Sequence, residues 1–549
     1  MTCNARFGSN GTGGTICLVR SRVTARPPST LAITVDRDPA HLARFREDAA
    51  HFAGGEASGV VRPRSTDEVS ACLRAFEHVL PVGAQSSLTG GATPAGDVVM
   101  STERLSSMTI EGHRIRVGAG VPLQHVQDSL LKIGRWFPPV PTYLGAFTGG
   151  AVATCAAGAA TFKYGTVREW VDGLTVVLAG GDILSLSRGE CRASAAGIFE
   201  IDTAAGMRTV RIPPLRMPDV PKKSAGYFIE PEMDLVDLFI GSEGTLGVIA
   251  DVTLRTARLP GGLCRAFVPV PTEAHAITLV ADVRGAAIAT WASRDGNGID
   301  VSAIEHLDAR SIEILREDGV DRKLDITLPH GAGMALLVDL EISAAYAATD
   351  LWPVIASSLD PGAADSPLTR FCRLLHRHGV FDDAEVTLPG DRSRAAAFAD
   401  LREAVPAGVN RRVALAKQTD SAISKTAADM IVPYDRFDEM MTVCRRLFAE
   451  RGLDLVVWGH ISDGNVHPNV IPTHADDVRK GREAILALGD AVIAMGGCPL
   501  AEHGVGRNPT KQQLLRRLYG DAGIDAMRAI KLSLDPNGSL ASGVIFPPQ

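Results

Sequence analysis

The chain has 549 residues, room for two to four domains at roughly 100–200 residues each. Hydrophobic residues at 45% and charged residues at 22% are the balance of an ordinary globular protein, and a net charge of −7 leaves no basic footprint for nucleic acid. Fifty-five glycines, about 10% of the chain against a usual ~7%, cluster in short motifs, as tight turns and ligand-cradling loops require. The nine cysteines (Cys3, Cys17, Cys72, Cys155, Cys191, Cys264, Cys372, Cys444 and Cys498) are dispersed, with no C-x-x-C pair. That argues against an iron–sulfur module or zinc ribbon and reads as a reducing compartment. No apolar run approaches the ~18 residues that span a bilayer.

In chain order, residues 1–47 read as an N-terminal extension. Its first 35 residues carry Arg6, Arg20, Arg22 and Arg26 and no acid before Asp36, a composition shared by transit peptides and disordered tails. A domain of short apolar segments and helices follows over 48–259. Ser65-Thr66-Asp67-Glu68, then Val69, Cys72, Leu73 and Phe76, predict an N-capped amphipathic helix. "HVLPVGAQ" is a strand entering a glycine turn, and "STERLSSMTIEGHRIRVGAG" a strand, turn and strand. "VPLQHVQDSLLKIG" is a helix ended by Gly134, and "LTVVLAGGDIL" two strands about a Gly-Gly turn. Pro260-Gly261-Gly262 marks a break. Over 260–480, alanine-rich helices ("AADVRGAAIATWAS", "DRSRAAAFADLREAV") alternate with strands ("MALLVDLEI", "LDLVVWGHI"), and 481–549 is helical apart from two glycine loops.

Three glycine motifs stand in the first domain. "PVGAQSSLTGGATP", Pro81 to Pro94, offers backbone N–H groups where no Cβ blocks approach, with hydroxyls between them, as a pyrophosphate needs. "FTGGAVATCAAGAATFKYGTVREW", from Phe147, holds a run of small residues from Gly149 to Ala160 that suits backbone lying flat against a flat cofactor. "DLFIGSEGTLGVIADVTLRT", Asp237 to Thr256, interleaves Gly241, Gly244 and Gly247 with Ser242, Glu243 and Thr245 before a strand. Alone, any one is also an ordinary turn. In this order and spacing they resemble the FAD domain of the vanillyl-alcohol oxidase and p-cresol methylhydroxylase superfamily, over about 48–256. No G-x-G-x-x-G of the Rossmann type is present.

That resemblance implies an α+β fold: a two-subdomain FAD-binding domain, an α+β substrate domain with an antiparallel sheet, and a C-terminal helical segment returning to the flavin. It implies that Val82, Gly83, Ala84, Gln85, Ser86, Ser87, Leu88, Thr89 and Gly90 wrap the pyrophosphate. Gly149, Gly150, Thr154, Gly158, Tyr164 and Gly165 would line the flavin, with Gly241, Glu243, Gly244 and Ile249 completing the site. Cys155 stands where relatives usually have Asn, and Ala157 where they often have Gly. The first loop holds no histidine for a histidyl link, and Cys155 reads as a small buried hydrophobe, so the FAD is expected to be non-covalent.

The sharpest feature is "VVWGHISDGNVHPNVIP", Val456 to Pro472. Asp463-Gly464 predicts a two-residue hairpin. Folded so, Ser462 faces Asn465, Ile461 faces Val466, and His460 faces His467. Directly opposed Cβ atoms lie ~4.5–5.5 Å apart, chelating distance for two imidazoles on one ion. Asn469 shares their face. "AEHGVG", Ala501 to Gly506, offers Glu502 or His503 as a third ligand, one binding and the other free.

H-x-x-D-G-N-x-H followed by E-H-G-x-G resembles a narrower family, the FAD-linked D-lactate, D-2-hydroxyglutarate and glycolate dehydrogenases, over about 48–547. By that resemblance His460, His467 and Glu502 hold a divalent metal (zinc, with manganese or iron as alternatives), and His503 is the catalytic base. Asn469 matches a substrate-binding asparagine, and Arg402 of "LREAVP" the clamp on the substrate carboxylate. Lys425 and Asp429 match a K-x-x-D-x-x-V-P pattern, with the lysine near the substrate. "KLSLDPNGSLASGVIFP", Lys531 to Pro547, resembles the family's closing motif, although "ASGVIFP" replaces the usual Asn-Pro-Gly.

The implied activity is oxidation of a D-2-hydroxy acid such as D-lactate to the 2-keto acid, with hydride passing to the flavin. With no iron–sulfur or haem motif, the electrons are expected to leave to a separate cytochrome, quinone or electron-transfer flavoprotein. The expected setting is cytoplasmic, at a membrane through that acceptor, with mitochondrial targeting a minor alternative and a homodimer left open. Rival readings are a non-redox enzyme resembling alkylglycerone-phosphate synthase, a non-catalytic flavin-binding subunit, and a mononuclear iron oxygenase, since two histidines and a carboxylate also suit Fe(II).

Overall fold

The structure is a computed structural model that describes residues 18–21, 33–347 and 349–548. Most of the segment read as a targeting sequence or tail lies outside the described residues. The chain divides into two units, one of Met1–Ala157, Gly165–Ala257 and Cys498–Gln549, the other of Gly158–Tyr164 and Arg258–Gly497.

In the first unit a parallel sheet sets Val98–Ser101 between Gly59–Val61 and Val79–Val82. The predicted capped helix is Thr66–Ala75, whose first turn is held by the Ser65 hydroxyl accepting from the Glu68 N–H. Its apolar stripe, Val69, Cys72 and Leu73, packs on Val61, Val79, Val98 and Met100. Each such aliphatic side chain contributes about 1.5–3 kcal/mol by leaving water. A second, antiparallel sheet runs Met108–Glu111, Arg114–Gly118, Val248–Arg255, Val171–Val177 and Ile183–Ser187. Its two hairpins turn at Gly112 and Gly181, which take φ of 63° and 83°, where a side chain would be strained. A third sheet pairs Leu18–Arg20 in parallel with Ile198–Thr203, itself antiparallel to Gly206–Arg211.

The second unit is built on an eight-stranded antiparallel sheet. Its path is Glu385–Thr387, Gly262–Val270, Met334–Ile342, Val301–Asp308, Leu455–Gly459, Asn465–Val470 and Thr426–Ala427, with Met430–Ile431 also paired to Asn465–Val470. Helix Arg392–Thr419 places Phe398, Leu401, Val405 and Val409 at three- and four-residue spacing. That face packs in one core with Phe267, Leu307, Leu337, Val456 and Trp458 of the sheet. Arg402 is carried into this interior beside Leu401.

The predicted histidine hairpin forms with another register. His467 pairs with Trp458, Pro468 with Val457 and Asn469 with Val456. The strand ends at Gly459, and Ile461–Asp463 form a buried 3-10 turn instead of a two-residue loop. The cause is long-range: the Ser462 hydroxyl accepts the Ile304 N–H, drawing the turn onto the neighbouring strand. The strand pairing moves by two residues and His460 lies just past the strand end, yet its ring still meets that of His467, with centroids 5.5 Å apart.

Candidate active site

Within the first unit the first and third glycine motifs, the second as far as Ala157, and the C-terminal loop come together. After strand Val79–Val82, residues Gly83 to Ser87 are partly exposed, Leu88 is exposed, and Thr89 and Gly90 are buried. The Ser87 hydroxyl accepts the N–H groups of Thr89 and Gly91, both at 3.2 Å, shaping the loop. Gln85 takes φ of 55° and its amide donates to Arg44 O, so its side chain braces the loop from outside.

The second motif is the helix Thr148–Ala153. A Cβ on Gly149 would lie 2.5 Å from that of Ala119, whereas one on Gly150 would meet nothing within 4 Å. Gly149 is therefore a packing glycine, and Gly150 presents bare backbone to open space, which fits a flat ring system. The Thr154 hydroxyl donates to Gly150 O. The third motif runs beside this helix: Gly241 N–H donates to Val152 O and Glu243 N–H to Ala153 O. Gly244 turns at φ 73°, Gly165 takes the same φ, and Ile249 is buried. Cys155, at φ 50°, is also buried, its thiol 3.7 Å from the Thr166 hydroxyl. Lys531 of the closing motif donates to Thr245 O at 3.0 Å and Leu540 O at 2.9 Å.

The E-H-G-V-G loop belongs to this unit. Glu502 is buried and paired at 2.8 Å with Lys222, whose side chain is fully buried. His503 is a quarter exposed, with its Nε2 3.7 Å from Glu502 Oε1. The two oxygens of Glu243 accept the N–H groups of Val505 and Gly506, each at 2.8 Å. Burial pushes the Glu243 carboxyl up to about 7, against the lowering effect of these two bonds and of Lys511.

Gly158 and Tyr164, although part of the second motif in sequence, fold with the other unit. There the Tyr164 hydroxyl donates to the Glu341 carboxylate at 2.7 Å, and Lys163 pairs with the same group.

In the second unit His460 and His467 are both buried, their rings edge to face with centroids 5.5 Å apart. Each has a carboxylate nearby. His467 Nδ1 lies 3.4 Å from Asp429 Oδ1, an oxygen that also accepts from the Asn465 amide. His460 Nδ1 lies 3.9 Å from Glu305 Oε2. Glu305 is also the partner of Arg402, which is buried rather than a surface charge and donates through Nη1 to Glu403 at 2.7 Å. Burial alone would raise the Glu305 carboxyl, but Arg402, His460 and Arg265 together hold it at about 2. Buried Asn469 donates its amide N–H to His467 O, while its Oδ1 has no hydrogen-bond partner among the described residues. Lys425 is partly buried without an ion-pair partner among the described residues, and burial lowers its pKa. Behind the pair stands His306, fully buried, its Nδ1 3.1 Å from Gly459 O and its pKa lowered to about 3, chiefly by burial.

Two buried imidazoles at this separation, each with a carboxylate within 4 Å of its Nδ1, are a donor set that fits a divalent ion. Sequence reasoning missed Lys222, Glu305 and the pairing of Asp429 with His467. Glu305 left one faint signal, a charge inside the apolar strand "VSAIEHLD". Lys222, in "PKKSAGY", left none.

Comparison with known proteins agrees with the cradle. Residues 57–187 match the FAD binding domain, which makes the protein a flavoprotein. Residues 271–545, half of the chain, match the C-terminal domain of FAD linked oxidases. The chain belongs to the FAD-linked oxidase family. It is 28% identical to D-lactate dehydrogenase of Archaeoglobus fulgidus, over 92% of this chain and 96% of that one. It is 26% identical to D-2-hydroxyglutarate dehydrogenase of Xanthomonas citri pv. viticola, over 96% and 97%. A solved alkyldihydroxyacetonephosphate synthase shares the fold, with a TM-score of 0.58 at 13% identity over 94% of this chain and 82% of that one.

Proposed function

We propose that the protein is an FAD-dependent dehydrogenase that oxidises a small D-2-hydroxy acid to the 2-keto acid, assisted by a divalent metal ion. The observation that carries this reading is the buried His460–His467 pair with Asp429 and Glu305 behind it. The names of the relatives support the substrate class. His460 and His467, with Glu502 as third ligand, would hold the ion, and the three glycine motifs would hold FAD. Bound FAD supplies the acceptor for the C2 hydrogen and its electron pair, and the ion supplies Lewis acidity that brings the hydroxyl within reach of a histidine.

The chain's own residues do the rest. His503 takes the hydroxyl proton, the part a positioned imidazole plays as general base. Arg402 receives the carboxylate, Lys425 stands near the substrate, and Asn469 offers its buried amide to it. Arg402 already has Nε and Nη1 engaged by Glu305 and Glu403, so its orientation is set before substrate arrives. The electrons then leave to a separate acceptor. The synthase likeness, at 13% identity, speaks for the fold and not for the reaction.

The test is replacement of His460 or His467 by alanine. Either variant is expected to lose the metal and turnover while keeping the flavin spectrum. Near-normal turnover with metal retained would refute the reading.

A further inference from the structure

Resemblance places Glu243 among the residues that line FAD, yet its carboxylate is engaged elsewhere. Oε1 accepts the Val505 N–H and Oε2 the Gly506 N–H, both at 2.8 Å. The loop is shaped to receive it. A Cβ on Gly504, at φ 74°, would stand 2.9 Å from Glu243 Oε1. One on Gly506, at φ 59°, would stand 2.2 Å from the Thr89 hydroxyl. Only glycine leaves room for the carboxylate on one side and Thr89 on the other. Arg507 N–H then donates to Thr89 O at 3.0 Å. Glu243 itself takes φ of 52°, a conformation that L side chains avoid, and its N–H is bonded to Ala153 O at 2.7 Å. A glycine would sit there without strain, so the side chain must supply something glycine cannot.

His503 immediately precedes this anchored stretch. On its other side Ala501 O accepts the Ser224 N–H at 2.9 Å, and Glu502 is paired with Lys222. The loop is therefore pinned on both flanks of a histidine that is itself a quarter exposed.

We infer that Glu243 is a positioning residue for His503: its carboxylate clamps the Gly504–Gly506 backbone and thereby sets where the imidazole stands. This rests on His503 being the base of the proposed reaction. The clamp acts through two bonds from adjacent N–H groups to the two oxygens of one carboxyl, bonds that are strongest when the group is ionised. Loss of the charge loosens the loop without removing any group that touches the substrate.

The test is Glu243→Gln in the full chain, read three ways. FAD content and KM should stay within about twofold. Hydrogen–deuterium exchange of the peptide spanning 503–507 should quicken by about tenfold or more. Flavin reduction at saturating substrate should slow by about 10–100-fold, since an ångström of misplacement can cost ~10²-fold. Gly504→Ala, which pushes a methyl against the carboxylate from the loop side, should reproduce the faster exchange and the slower reduction, and it serves if Glu243→Gln does not fold. Loss of FAD with unchanged exchange would make Glu243 a flavin ligand and overturn the inference, as would normal exchange with a normal reduction rate. His503→Ala separates the two levels. If that variant is slow and Glu243→Gln is normal, the clamp alone is wrong. If His503→Ala itself reduces flavin normally, the base assignment fails and the clamp falls with it.

Discussion

Asp429 gives the cleanest access to the histidine pair. Its Oδ1 lies 3.4 Å from His467 Nδ1 and accepts from the Asn465 amide at 3.0 Å, in a setting where Asp429 is 1% exposed. An asparagine whose carbonyl oxygen takes the same place keeps both contacts and removes only the charge. A carboxylate this close to Nδ1 favours the proton there, which leaves Nε2 to ligate and raises its basicity. Removing such a partner typically weakens a metal site 10–100-fold, about 1.4–2.8 kcal/mol. Asp429→Asn should therefore keep its FAD spectrum and fold while binding Zn²⁺ 10–100-fold more weakly. The assay is competition against a chromophoric chelator after the metal has been dialysed away. An affinity within about threefold of the unaltered protein would mean that the Asp429 charge does not support a metal site at His467.

Other expectations follow from the same residues. Arg402→Lys keeps a charge but cannot hold Glu305 and Glu403 while meeting a carboxylate, and should lower kcat/KM by about 2–4 kcal/mol; a change below about tenfold, roughly 1.4 kcal/mol, would reduce Arg402 to a structural ion pair. Glu502→Ala should lose the metal, whereas His503→Ala should keep it and slow flavin reduction by ~10²–10⁴, removing the acidic limb of the pH–rate profile; the opposite pattern of metal content would exchange their roles. Glu305 sits at about 2 when folded, below the usual 4.5. Its pairing stabilises the fold above that usual value and is lost as pH falls toward 2, at most about 3 kcal/mol. Thermal melts should show Glu305→Gln less stable than the unaltered protein at neutral pH, with the gap closing on acidification, and a pH-independent gap would contradict the pairing. Acid should release FAD into solution; flavin remaining with the precipitate would point to a covalent link at Cys155.

Much of the fold was legible because its signals are local. Ser65 followed by Glu68 announced a helix start, and the stripe Val69, Cys72 and Leu73 announced the face it buries. Gly112 and Gly181 marked hairpins because only glycine takes their φ cheaply. The histidine hairpin shows where local reading ends. Asp463-Gly464 favours a tight turn, but the contact between Ser462 and Ile304 draws three residues into a 3-10 turn and shifts the pairing by two. His460, just past the end of the strand, still meets His467, with ring centroids 5.5 Å apart. Glu305 and Lys222 escaped notice because their partners, Arg402 and Glu502, lie far along the chain, and no spacing rule joins such pairs.

The central claim concerns what reduces this flavin. The direct measurement is anaerobic mixing of the purified, metal-replete protein with matched D- and L-2-hydroxy acids, following the visible flavin band by stopped flow. The account predicts that D-enantiomers bleach the flavin in a single turnover and that L-enantiomers leave it oxidised. Flavin that stays oxidised with every D-2-hydroxy acid, metal present, would contradict it.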